Sequence, residues 1–211
     1  MTDAAPIRRY AKGDAKRREI LTAALTVISE RGYRNSSLQE IADSVGLTKA
    51  GVLHYFDSRE GLLVDVLRER DLADGANLPE AGEDRGEQAG RNEAPDSITL
   101  LELATQHNHD VPGLVELFSR LVVDSGSPEH PGHAYIAERY GQLEERLATA
   151  IRTRQEAGSM RRDIDPNVFA RVLTAVSDGI QLQWQHDRTI DMRATFAAVV
   201  DSLATGPQTA R

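Results

Sequence analysis

Apolar residues recur every three to four positions along most of this chain, the period of a helix with one buried face. Ile20, Ala24, Val27 and Ile28 form the first stripe, and Gly32 is placed to end it. In "SSLQEIADSVG", Leu38, Ile41, Ala42 and Val45 supply a second buried face, and Ser37 with Glu40 has capping-box spacing. Gly46 offers the left-handed residue that closes this helix. Thr48 opens a third as its N-cap, with Leu47 and Val52 spaced as a hydrophobic staple. Ser58 caps a fourth, which carries Leu62, Leu63, Val66 and Leu67.

The pattern fails over 74–97, where seven acidic and two basic residues stand with four Gly, two Pro and only Leu78 as a large apolar side chain. Such a stretch buries too little surface to offset its ordering entropy, so it reads as an acidic flexible loop or linker. Periodicity resumes with Ile98, Leu101 and Ala104, then Leu114, Leu117, Phe118, Leu121 and Val122. "SGSPEHPGH" is a turn, and a long amphipathic helix follows it up to Gly158. Asp165 and Pro166 open a helix with Val168, Phe169, Val172, Leu173, Val176 and Ile180. Met192, Phe196, Val199, Val200 and Leu203 line the last. No useful strand alternation appears. The fold class is all-α, with about nine helices: an N-terminal three-helix head and a larger helical domain.

A helix, a tight glycine turn and a short helix over residues 37–56 make a helix-turn-helix, and 14–73 its domain. Projected at 100° per residue, Val52, Leu53 and Phe56 share one arc and are expected to face the core. The opposite side collects Ala50, Gly51, His54 and Tyr55, with Lys49 leaving the first turn. This face has two residues of minimal size, one imidazole, one phenol and no acid. A major groove about 12 Å wide admits a helix deeply only where side chains are small. The Ala50 methyl suits a thymine methyl, Lys49 a guanine edge or phosphate, and His54 and Tyr55 phosphate oxygens. The helix starts at Ser37 and Ser58 offer N–H groups to phosphates, and Arg59 adds charge there.

Charge sharpens this picture. The chain of 211 residues has net charge −8, yet residues 1–60 carry +2 and the remainder −10. All three lysines, Lys12, Lys16 and Lys49, lie in the first quarter, and 1–13 reads as a basic N-terminal arm. A basic end on an acidic body fits contact with an anionic polymer at one end. The absence of cysteine excludes a disulfide framework, a zinc finger and a cysteine nucleophile. With no secretory signal pattern and no run of about 18 uncharged apolar residues, the chain is expected to be soluble and cytoplasmic.

The run "SSLQEIADSVGLTKAGVLHYFDSREGLL" resembles the DNA-binding signature of the TetR family of bacterial transcriptional regulators. Ile41-Ala42, Gly46, Thr48, Lys49, Phe56, Ser58, Arg59 and Leu62 carry the match, which covers about residues 14–72. Leu53 stands where a Tyr is common, "HYF" replaces the usual "YHF", and Arg59 replaces a Lys. The resemblance implies a DNA-contacting set of Ser37, Gln39, Thr48, Lys49, Ala50, Gly51, His54, Tyr55, Ser58 and Arg59. It further implies a homodimer paired through the last two long helices, and a helical domain, residues 98–206, that binds a small-molecule effector. Val168, Phe169, Val172, Val176, Ile180, Phe196, Val199, Val200 and Leu203 are the dimer candidates. His107, Phe118, Leu121, Tyr135, Tyr140 and Trp184 are the pocket candidates, with ordinary helix packing as the alternative role for each.

The function implied is a ligand-responsive repressor on a palindromic operator, released by its effector. An activator, or a regulator without a ligand, shares the same head. An all-α enzyme is the remote alternative, because no phosphate loop, credible carboxylate pair or Ser/His/Asp order is present and no cofactor is called for. Metal binding is not expected either. His107 and His109 would diverge by about 200° on a helix, and His130 and His133 share a turn with only Glu129 nearby.

Overall fold

The computed structural model describes residues 5–77 and 95–204. Within them lie nine α-helices: α1 Ala5–Arg31, α2 Leu38–Ser44, α3 Lys49–Leu53, α4 Arg59–Asn77, α5 Ser97–His107, α6 Pro112–Asp124, α7 His133–Glu156, α8 Pro166–His186 and α9 Met192–Asp201. Short 3₁₀ turns follow α1 and α5. Residues 5–13, expected as an arm, are the opening turns of α1 itself. The acidic stretch 74–97 begins inside α4 and ends with Asp96, the cap of α5, and Ser97, its first residue, while 78–94 lie outside the described residues.

Two units divide the chain. The first joins 1–73 with 111–133, and the second joins 74–110 with 134–211. The sequence boundary therefore needs correction: α6 and the turn after it belong with the head, not with the C-terminal domain. Backbone proximity is the reason. A Cβ on Gly113 would stand 2.0 Å from the Ile28 carbonyl oxygen and 2.9 Å from Gly32 Cα, so only glycine lets α6 start against the end of α1. Arg34 Nε adds a 2.7 Å bond to Glu116 Oε1, and Leu114, Val115, Leu117 and Leu121 are buried. Behind them the head core is Ile20, Ala24, Ile28, Ile41, Ala42, Val52, Phe56 and the α4 row Leu62, Val66, Leu67.

In the second unit, α9 packs on α5 and α8. Asp96 caps α5 through Thr99 N–H and receives the Arg154 guanidinium at 2.6 and 2.8 Å. Burial pushes the Asp96 carboxyl up, but Arg154 and Thr99 outweigh it and hold it below the usual carboxylate range. Arg193 ties α9 to α5 through Glu102 Oε1 at 2.8 Å and Gln106 Oε1 at 2.9 Å. Trp184, Phe196, Leu147, Ile151 and Leu173 are the largest wholly buried side chains here, with Met160.

Candidate nucleic-acid interface

Local rules build the helix-turn-helix. Ser37 Oγ accepts from Glu40 N–H at 3.2 Å, and Glu40 Oε2 accepts from Ser37 N–H at 2.8 Å, completing the capping box. The Ser37 N–H, then its hydroxyl and Arg31, hold the Glu40 carboxyl below its usual range. Of the first-turn amides of α2, those of Leu38 and Gln39 have no acceptor within the helix. Gly46 sits at φ 66° and turns the chain, and Lys16 Nζ donates to the Val45 carbonyl at 2.8 Å, steadying the end of α2. Thr48 Oγ1 accepts from Gly51 N–H at 3.1 Å, and Ser58 Oγ accepts from Gly61 N–H at 2.9 Å. The Thr48 and Ser58 hydroxyls, which accept at these caps, still have an O–H to donate, whereas that of Ser37 is directed at Glu40.

α3 ends at Leu53, with His54 as its cap, so the projection of a helix to Phe56 fails past that point. Val52 and Phe56 are buried as expected, and the Arg17 guanidinium lies 4.8 Å over the Phe56 ring while pairing with Asp65. Leu53 is not in the core. It is 37% exposed and shares the outward face with Lys49, Ala50 and His54. Gly51 is half-buried, and a Cβ there would lie in ordinary contact with Thr48 Oγ1 and Leu47, at 3.4 and 3.5 Å, rather than project outward. The first turn of α3 therefore does not require a glycine here, and the fully outward position expected from sequence is corrected to a half-buried one. Tyr55 is half-buried and meets His54 edge-on at 5.7 Å. Gln39 is exposed, its amide bonded to Asp43 at 2.6 Å.

Arg59 is held rather than loose. Its guanidinium lies 5.4 Å over the Tyr33 ring and donates one bond to the Tyr33 hydroxyl at 3.5 Å, while Arg120 of α6 lies 5.7 Å from the same ring. Four of its five N–H groups remain for other acceptors. Nothing in the sequence spacing links Tyr33, Arg59 and Arg120. Their meeting follows from α6 joining the head.

Residues 20–66 match the family model described as "Bacterial regulatory proteins, tetR family". That segment, which holds α2 and α3, is therefore a TetR-type DNA-binding domain. The HTH-type transcriptional regulator RutR of Escherichia coli K12 is 42% identical over 62 residues, and that match spans 29% of this chain and 29% of RutR. The HTH-type transcriptional repressor AcnR of Corynebacterium efficiens is 24% identical over 166 residues, 77% of this chain and 78% of AcnR. A regulator from Saccharomonospora viridis solved with choline shares the fold, with TM-score 0.67 at 23% identity over 92% of this chain and 100% of that one.

The remaining candidate residues separate into distinct surroundings. Phe118 and Leu121 are buried in the first unit, whereas Tyr135, Tyr140 and Trp184 lie in the second. They do not gather in one unit, because α6 packs with the head. His107 is exposed at the end of α5. His109, weighed in the sequence only as a metal partner of His107, instead meets Trp184 with ring centroids 5.5 Å apart. Trp184 is 2% exposed, and its indole N–H has no protein acceptor among the described residues. Tyr140 donates to Asp178 at 2.6 Å; burial, then that bond, pushes the phenol well above its usual range, and burial raises the Asp178 carboxyl.

The dimer candidates divide as well. Ile180, Phe196, Val200 and Leu203 are buried inside the unit, a correction to their expected role. Val168 and Val172 are 58% and 38% exposed, Phe169, Val176 and Val199 are half-buried, and Leu182, missed from sequence, is 49% exposed. Ala175 is exposed, and a Cβ on Gly179 would meet open space. Residues 168, 172, 175, 179 and 182 alternate spacings of four and three, the seam pattern of two paired helices. That spacing was readable in the sequence, but which of the apolar faces of α8 turns inward was not. Among the described residues no three His, Asp or Glu side chains converge on a metal position, and no helix is long and apolar enough to cross a membrane.

Proposed function

We propose that this chain is a sequence-specific DNA-binding transcriptional regulator of the cytoplasm, acting as a homodimeric repressor released by a small-molecule effector. The observation that carries this reading is the outward face of α3, where Lys49, Ala50 and His54 stand exposed behind the Thr48 cap. Lys49 reads a base edge or a neighbouring phosphate. The hydroxyls of Thr48 and Ser58, the first-turn amides of α2 and the Arg59 guanidinium hold phosphates and set the register. His54 and Tyr55 close the contact on the sugar-phosphate side.

The α8 seam supports the homodimer. Two copies pairing along Val168, Val172, Ala175, Gly179 and Leu182 would cover the large apolar side chains that α8 leaves in water. A two-fold dimer presents two α3 helices to half-sites one helical turn apart, hence a palindromic operator. The orphan N–H of Trp184 supports an effector carrying a hydrogen-bond acceptor, since a buried donor without a partner costs about 1–3 kcal/mol. An effector that favours a dimer geometry out of register with the two half-sites lowers DNA affinity by the same factor that DNA lowers effector affinity.

The test is selection of bound duplexes from a random pool with the full-length protein, followed by gel shift. Enrichment of a palindrome with half-sites about 10 base pairs apart is expected, in a complex containing two chains. Retention of DNA without any sequence enrichment would rule out a specific operator. Expression of a reporter behind the selected site rises on deletion of the regulator if it represses, and falls if it activates.

A further inference from the structure

We infer that Leu53 reads DNA sequence by seating on the C5 methyl group of a thymine in the major groove, an inference that rests on the DNA-binding function proposed above. The face of α3 is the starting point. Counted at about 100° per residue from Lys49, Leu53 lies at about 40°, Ala50 at about 100° and His54 at about 140°. Each of the four is exposed. Leu53 therefore sits inside the outward arc, between the cation and the small residue, and not at its margin.

The core does not need it there. Val52 at 0% and Phe56 at 3% exposure cover the inner side of this short helix, and Leu53 leaves more than a third of its surface in water. A branched apolar side chain flanked by an ammonium group and an imidazole makes a mixed surface. An apolar protein helix does not match it, because Lys49 would lose its solvent. The major-groove edge of an A·T pair does match: thymine presents its O4 acceptor and its C5 methyl side by side, and no other natural base of DNA presents both. Leu53 supplies the apolar contact and Lys49 the donor for the neighbouring acceptor or phosphate. Ala50 is small enough to let the two approach.

Deoxyuridine tests this directly, since it keeps the hydrogen-bonding pattern of thymine and lacks only the methyl group. Full-length protein is titrated against its selected duplex and against duplexes with each thymine replaced singly by deoxyuridine. Wild-type affinity is expected to fall threefold to tenfold at one or two positions per half-site. With Leu53→Ala, which keeps its fold by circular dichroism and still shifts the duplex, the thymine-to-deoxyuridine ratio at those positions is expected to drop to about one. Indifference of the wild type to every replacement would overturn the inference while leaving the DNA-binding reading intact. So would an unchanged ratio in Leu53→Ala, or a ratio lost only in Ala50→Gly, which would make Ala50 the methyl reader. Failure to select any duplex at all would instead remove the DNA-binding function on which the inference stands.

Discussion

Among the described residues α3, α6 and α8 leave large apolar side chains in water; α6 exposes only Val123, next to its last residue, while α3 and α8 do so in two different ways. α3 exposes a single leucine among Lys49, Ala50 and His54, over five residues and a cap. α8 exposes Val168, Val172 and Leu182 in one line with Ala175 and Gly179, over four turns. An isolated apolar residue beside a cation suits a target that is part charged and part apolar, such as a groove edge. A continuous seam with heptad spacing suits another helix of the same kind. Exposure alone does not distinguish these surfaces. The neighbours of each exposed residue do.

The strongest way to break this contrast is to charge the seam. Val172→Asp is expected to weaken self-association at least a hundredfold by sedimentation, because pairing would bury an unpaired carboxylate. A dimer of unchanged strength would show that α8 is not the interface. On α3, Lys49→Ala is expected to relax preference at a particular base by about 1–3 kcal/mol in a competition gel shift, leaving self-association untouched. Arg59→Ala should instead weaken all sequences alike and reduce the slope of log affinity against log salt by about one. If both variants weakened every site equally, Lys49 would be a phosphate contact and Leu53 the main reader on that face.

The smallest expected effect lies just inside the seam. Burial raises the folded-state pKa of Asp178 above that of the unfolded chain, so its ionised form opposes folding above that pKa. Asp178→Asn, which keeps an acceptor for the Tyr140 hydroxyl, should raise Tm at pH 8. The gain should fade as pH falls through the Asp178 pKa, where the wild-type carboxyl is neutral too. Asp96 has the opposite sign: its lowered pKa stabilises the fold above the unfolded carboxylate range, and that contribution is lost as pH falls through the folded value.

What could be read from sequence was local. Ser37 with Glu40, Thr48, Ser58 and the Asp165–Pro166 start act within one helical turn, and each cap forms as its spacing dictates. Family resemblance added the identity of the head, and the match over residues 20–66 bears it out. The misreadings were tertiary. Leu53 was assigned inward because it lies only about 100° from Val52 on the helix, and that arc was closed by Phe56, which lies beyond the real end of α3. Ile180, Phe196, Val200 and Leu203 were assigned outward because an apolar residue on an amphipathic helix does not announce which neighbour covers it. No periodicity could assign α6 to the head, because the decisive contact involves the backbone and a missing side chain.

That last contact has a practical consequence for anyone recombining this protein. The unit that carries α3 is discontinuous in sequence: its second piece begins some forty residues after the first ends. A chimera cut at residue 73 would transplant α1–α4 without Gly113, Glu116 and Arg120, and so without the helix that closes over Ile28, pairs with Arg34 and stacks on Tyr33. Moving the DNA preference proposed for α3 between scaffolds would need both pieces, or a recipient whose own corresponding helix begins with glycine.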